Sequence, residues 1–217
     1  MPRTEYENQL QRIQDELLQI GALVESSITK ALQALKRRDL ETSRQVVEDD
    51  DEIDSRHLAL EEQCIDVLAL QQPMGGDLRT LVSVLLIASE LERMGDYAEG
   101  IAKISLRMGD DPLLKPLIDI PRMGEIAIQM LRNSLRAFVN HDNEAAMQVA
   151  ADDDEVDALY EQVFRELLVY MIENPGTIRR ATYLIWVAHD LERIADRATN
   201  IAERVIYVTT GVLPKSV

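Results

Sequence analysis

Apolar residues recur at steps of three and four along most of this chain. Leu10, Ile13, Leu17, Ile20, Val24, Ile28, Ala31 and Leu35 trace one face of a first helix, because a 3.6-residue turn brings such positions to one side. Thr4 with Glu5 and Glu7 marks its start, and Lys36-Arg37-Arg38 suits the negative end of its dipole. Asp39 reads as the cap of a second helix that runs to about Gln72, where Pro73-Met74-Gly75-Gly76 breaks it. Asp77 is the expected cap of a third helix, which fades near Gly109. Pro112, Pro116 and Pro121 then punctuate the stretch between Asp110 and Arg122. The programme follows again with a helix over Met123–Val139 and a turn and cap at His141-Asp142-Asn143. A fifth helix runs from Glu144 to about Glu173, Asn174-Pro175-Gly176 breaks it, and Thr177 caps a sixth that ends near Gly211.

The letters repeat as well as the periods. ELERMGDYAEGIAK (Glu90–Lys103) and DLERIADRATNIAE (Asp190–Glu203) share Leu91, Glu92, Arg93, Asp96, Ala98, Ile101 and Ala102 with the positions numbered 100 higher. Ala34, Asp39, Glu41, Gln45 and Val46 return 103 positions on, and Asp49–Glu52 returns as Asp152–Glu155. A change of offset between the second and third helices of each half belongs in a loop. The expected fold is all-α: a tandem repeat of two antiparallel three-helix bundles, built from six long helices. Residues 1–110 form the first unit, 111–121 a proline-containing linker and 122–217 the second.

Charge narrows the partners. A net charge of −16 leaves no basic surplus to displace counterions, which argues against nucleic-acid binding and suits cations or basic partner surfaces. Cys64 is the one cysteine, so neither an intrachain disulfide nor a thiolate zinc cluster is available. The apolar runs Leu81–Ala88 and Ala181–Ala188 are too short to span a bilayer, and the N-terminus has no apolar signal region. The expectation is a soluble cytoplasmic protein without direct membrane insertion, with peripheral association at a membrane complex left open.

The candidate chemistry lies in acids at the edge of buried faces. On the third helix Val84, Leu91, Gly95, Ala98 and Ala102 form an apolar line, and Glu92, Asp96 and Glu99 lie roughly 60–100° round from it. Leu81 and Leu85 continue the acids' own stripe. In the second half Leu184, Leu191, Ala195, Ala198 and Ala202 form the line, while Glu192 and Asp196 share a stripe with Ile185. Acids at such boundaries are costly to leave unpaired. Either Arg93, Arg193 or Arg197 neutralises them in structural ion pairs, or several carboxylates hold a cation between helices. The second helices supply the further donors: Asp50 with Asp54, and Asp153 with Asp157, are i,i+4 pairs that an antiparallel hairpin brings opposite the Glu-x-x-x-Asp of their own half. About four oxygen donors per half suit a hard ion completed by water. His57 falls on the Asp50/Asp54 face, but its repeat counterpart is Tyr160.

Other residues carry blander readings. His189 reads as a surface or packed residue, Trp186 and Met94 as bundle packing, and Arg79 and Arg179 as ordinary salt-bridge partners. No catalytic apparatus emerges. None of the histidines has a Glu three residues before it, and no phosphate-cradling loop or nucleophile with a base occurs. A non-enzyme is therefore expected, with a metal-dependent hydrolase or redox enzyme as the minority reading.

The doubled Glu-Arg-x-x-Asp phrase, the two-fold repeat, the PMGGDLR segment and the length together resemble the PhoU family of bacterial phosphate-uptake regulators. The resemblance covers nearly the whole chain. It implies metal ions on the Glu/Asp-x-x-x-Asp motifs, iron foremost, with zinc, manganese, magnesium or nickel as other options. Matched residue by residue, the motif falls on Glu92 and Asp96 and on Glu192 and Asp196; Asp50, Asp54, Asp153 and Asp157 match more loosely. An Asn common four residues after the motif Asp is present as Asn200, whereas Gly100 stands at the other copy, so the first site would have one fewer ligand or rely on Glu99. The resemblance also implies a negative regulator, a homodimer that works with the phosphate ABC transporter ATPase and a sensor histidine kinase. A low-affinity phosphate permease as partner, or a purely structural helical interaction module without metal, are the alternatives.

Overall fold

The computed structural model describes residues 3–212. Six long helices carry the chain: α1 (Arg3–Arg37), α2 (Leu40–Gln71), α3 (Gly76–Met108), α4 (Asp119–Asn140), α5 (Asn143–Glu173) and α6 (Ile178–Thr210). No strand occurs among the described residues. The all-α expectation holds, as two three-helix units in tandem. The apolar face read on α1 is the buried one, with Ile13, Leu17, Ile20, Val24, Ile28, Ala31 and Leu35 in the core and Leu10 partly covered.

Helix ends follow capping chemistry in some places and depart from it in others. Asp39 accepts hydrogen bonds from the backbone N–H groups of Glu41 and Thr42, and Asp142 accepts from that of Ala145. These serve donors that the first turn leaves open. Asp77 is not a cap: α3 starts one residue earlier, behind Gly75, whose φ of +60° is open to glycine. Thr177 does take the N-cap position of α6, but its side chain makes no cap bond there. Its hydroxyl donates to the Tyr170 and Asn174 carbonyls and closes the 3-10 turn Pro175–Thr177 instead. The start expected at Thr4 lies within α1. The fourth helix begins at Asp119 and not at Met123, since Pro121 falls in its first turn, where a missing N–H costs nothing.

Helices α2, α3, α6 and α5 lie side by side in that order, with α1 over α2 and α3, α4 over α5 and α6, and α1 against α4. The two units therefore meet along both layers, and one continuous core draws on all six helices. At the centre α3 and α6 run antiparallel. Arg79 near the start of α3 donates to the carbonyl of Val208 near the end of α6 at 3.4 Å, so it makes no salt bridge there. Arg179 is the ion-paired one, at 2.5 Å from Asp111 in the connection to α4. That connection is tied down further by Lys115–Glu166 and by Arg180 donating to the Pro112 carbonyl.

The α1–α4 contact repeats itself about a pseudo-two-fold. A Cβ on Gly21 would lie 2.3 Å from Leu135 Cδ1, and one on Gly124 would lie 2.1 Å from Leu32 Cδ1. Gly21 and Gly124, like Leu32 and Leu135, are 103 positions apart. Each glycine is thus the seat of the other half's leucine. Gly21→Ala is expected to lose about 1–2 kcal/mol, because overpacking against the buried Leu135 outweighs the gain in helix propensity. In a denaturant-unfolding double-mutant cycle with Leu135→Ala, the double variant is expected to lose about 1 kcal/mol or more less than the two single losses added together; strict additivity would refute the seat.

Candidate functional site: two acid clusters on one face

The first cluster sits where α2 meets α3. Asp50, on α2, is only 8% exposed, and its Oδ1 is buried without a hydrogen-bond partner. It reaches that position because α3 offers a glycine: a Cβ on Gly95 would stand 3.1 Å from Asp50 Oδ1 and 3.2 Å from Ile53 Cδ1. Burial, with Glu99, Asp54 and Asp96 adding repulsion, pushes the Asp50 carboxyl up to about 7. The same causes raise its neighbours. Glu92 is raised by burial and then by Asp96, and Asp96 by burial and then by Asp54 and Glu99. The structure thus brings Asp50, Asp54, Glu92, Asp96 and Glu99 into one mutually repelling set. His57 belongs to its border, near enough to Glu92 to favour its ionised form. Among the described residues no ion pair reaches Asp50, Asp54, Glu92 or Asp96, and Glu99 is paired at the rim with Lys103.

The second cluster repeats this where α5 meets α6. Burial, then Asp196, Asp157 and Glu192, raises Asp153 to about 6, and its Oδ1 is also buried without a partner. Asp157 and Asp196 are raised chiefly by burial. Two differences separate it from the first. Ala195 stands where the first half has Gly95, and Asp153 is less deeply covered than Asp50. Arg193 grips both motif acids, with Nε at 2.6 Å from Glu192 Oε2 and Nη1 at 2.9 Å from Asp196 Oδ2.

Several residues fall elsewhere than the pattern suggested. Asn200 does not join the acids of its own half; its amide donates to Glu90 Oε2 at 3.2 Å, across the α3–α6 seam. Arg197 donates to the same oxygen at 3.2 Å, yet remains near enough to Asp196 to favour its ionised form. Trp186 is not bundle packing but 46% exposed, beside Tyr183. Met94 is fully buried. Asp190 is the acid that sequence reasoning passed over. It is mostly buried, faces the bare Cα of Gly100 and has His189 Nδ1 at 3.7 Å; burial raises it to about 6. The signal was its match to Glu90 in the repeat.

As placed, no three His, Cys, Asp or Glu side chains among the described residues form a ready-made ion cage. The donor set is nevertheless all oxygen and close-set. The orphaned Asp50 and Asp153 oxygens have further carboxylates as electrostatic neighbours, a donor chemistry that suits a hard cation after side-chain rotation.

Comparison with known proteins gives the same doubled unit. The PhoU domain model matches twice, over residues 17–105 and 120–205. A "phosphate-specific transport system accessory protein PhoU homolog" of Aquifex aeolicus is 40% identical over 207 residues, covering 95% of this chain and 94% of that protein. The Zymomonas mobilis protein of the same description is 40% identical over 195 residues, covering 90% of this chain and 82% of its own. The crystal structure of PhoU from Pseudomonas aeruginosa superposes with a TM-score of 0.91 at 35% identity, covering 95% of this chain and all (100%) of that one.

Because burial and neighbouring charge raise Asp50 above its unfolded value, its contribution to stability is present at low pH and lost as pH rises through about 7. The metal-free protein should therefore be less stable at pH 8 than at pH 5. Asp50→Asn removes the charge but keeps the shape. It should raise metal-free stability by roughly 2 kcal/mol at pH 8 and change it little near pH 4, read from urea unfolding. A variant less stable than the parent at pH 8 would contradict a strained carboxylate.

Proposed function

The chain belongs to the PhoU family, and on that premise we propose that it is a metal-binding regulator of phosphate uptake and phosphate-regulon signalling. It is an accessory protein of the phosphate transport system, as its named relatives are. The related Streptococcus pneumoniae structure is described as a phosphate transport system regulatory protein, with a TM-score of 0.90, 32% identity, and coverage of 97% of this chain and 100% of that one. In this reading it acts on the cytoplasmic side as a homodimeric adaptor between the transporter ATPase and a sensor histidine kinase, and it turns over no substrate. No described helix is long and apolar enough to cross a membrane.

One observation carries the ion part. A carboxylate oxygen of Asp50 is buried without a partner, amid three more acids, Asp54, Asp96 and Glu99, from two helices. Such a group is destabilising unless something positive joins it. Asp50, Asp54, Glu92, Asp96 and Glu99 would hold a divalent or trivalent ion in the first half, iron first among the options. Asp153, Asp157, Glu192 and Asp196 would do so in the second. The bound ion would supply positive charge that fastens α2 to α3 and α5 to α6. An opposing observation favours the structural reading for the second half alone, where Arg193 already serves as counter-charge to Glu192 and Asp196.

Protein purified without chelator should carry metal by elemental analysis. A Glu92→Gln, Asp96→Asn, Glu192→Gln, Asp196→Asn variant should not, and equal content in the two removes the ion. Free metal at a hundred times its Kd should stabilise the parent by about 2.7 kcal/mol. The adaptor part is tested by mixing the purified chain with the transporter ATPase and with the kinase's cytoplasmic portion. Binding to neither rules out that role.

A further inference from the structure

The two acid clusters descend from one repeated phrase, yet their arginines behave differently. Arg193 lies across the outer side of the second cluster, bonded twice to Glu192 and once to Asp196. Its repeat counterpart Arg93 is exposed and makes no ion pair with Glu92 or Asp96 among the described residues. Their surroundings across the α3–α6 seam differ too. Tyr97 of α3 stands close enough to Arg193 and Arg197 to favour the charge on both. The residue 100 positions on from Tyr97 is Arg197. The position beside Arg193 is thus a phenol in one copy and, in the other, a guanidinium held at 3.2 Å from Glu90. Arg93 stays near enough to Glu92 and Asp96 to favour their ionised forms without bonding either, whereas Arg193 closes on both of its carboxylates.

We propose that the two clusters are inequivalent cation sites, and that Arg193 is a resident competitor lying where an ion would bind between Glu192 and Asp196. The first cluster takes an ion directly on Asp50, Asp54, Glu92 and Asp96. Lys103 competes less closely: it is ion-paired with Glu99, acts on Asp50 and Asp96 only through space, and is itself half-exposed. The second cluster takes an ion only after the guanidinium has swung out, so its apparent affinity falls by the fraction of time the clamp is open. For a partly buried, bidentate clamp that fraction corresponds to roughly 10–100-fold. Arg193 thereby sets the ion concentration at which the second half loads. The inference rests on the ion-binding reading above.

Mn2+ is the probe, added to chelator-stripped full-length protein, with isothermal calorimetry and the EPR signal of free Mn2+ as readouts. The parent should load in two steps separated by about 10-fold or more. Arg193→Gln should strengthen the weak step by about 10–100-fold and leave the tight one in place. Arg93→Gln should change neither, and Asp50→Asn should abolish or weaken the tight step while sparing the weak one. Far-UV circular dichroism checks that each variant is folded; Arg193 is about one-third exposed, so its loss leaves the core intact. Two equal steps in the parent, or a weak step unmoved by Arg193→Gln, would overturn the competitor role while leaving ion binding standing. No Mn2+ binding by the parent or any variant would overturn the ion-binding reading and this inference with it.

Discussion

Repulsion among carboxylates, held in check by helix packing, is the constraint around which this molecule is arranged. Left free, Asp50, Asp54, Glu92 and Asp96 would separate into water. They stay together because Ile53, at the next turn of α2, is buried against α3 at Gly95 and carries Asp50 in with it. Core burial of that kind is worth about 1.5–3 kcal/mol for each large aliphatic side chain. The many buried Leu, Ile and Val residues of the bundle can therefore sustain a local electrostatic cost that an isolated hairpin could not. In the second half Ala195 stands where the first has Gly95, and burial with neighbouring acids again raises the buried aspartate, Asp153 to about 6 and Asp50 to about 7.

Much of this was legible in the sequence, and for a simple reason. Helix existence and buried faces depend on local period, so the α1 stripe from Ile13 to Leu35 and the small-residue lines of α3 and α6 fall where the spacing puts them. The pairing of Asp50/Asp54 with Glu92/Asp96 also follows from spacing, because an antiparallel hairpin leaves few registers. Caps were less legible. Asp77 is a good capping type, yet a glycine with positive φ opens α3, and Thr177 stands at the N-cap of α6 with its hydroxyl bonded into a 3-10 turn instead. Pro121 looked like linker because proline usually ends helices, although in a first turn it is harmless.

What could not be read was whatever depends on the other half. Asn200 and Arg197 sit on the same phrase as Glu192 and Asp196, but a helix has more than one face and theirs looks toward Glu90 across the seam. The Gly21–Leu135 and Gly124–Leu32 seats were written in the repeat, at the same offset of 103 that matches Asp39 with Asp142. Nothing in the period distinguishes such a glycine from an ordinary one, and only the facing leucine gives it a purpose.

Duplication explains why likeness and difference are distributed as they are. A pseudo-two-fold scaffold needs matching shapes where the halves pack on each other, so Leu91 and Leu191 lie under Gly21 and Gly124 in the same way. It places no such demand on polar residues at the seam. There Glu90 receives an amide and a guanidinium from α6, while its counterpart Asp190 meets the bare Gly100 and an adjacent histidine. Substituting Tyr97 for the arginine of the other copy, or Gly100 for its asparagine, changes which charges face each other without moving a helix. Function can therefore diverge between the halves at the α3–α6 seam even while the fold holds them equal, because the seam is where each half supplies the electrostatic surroundings of the other.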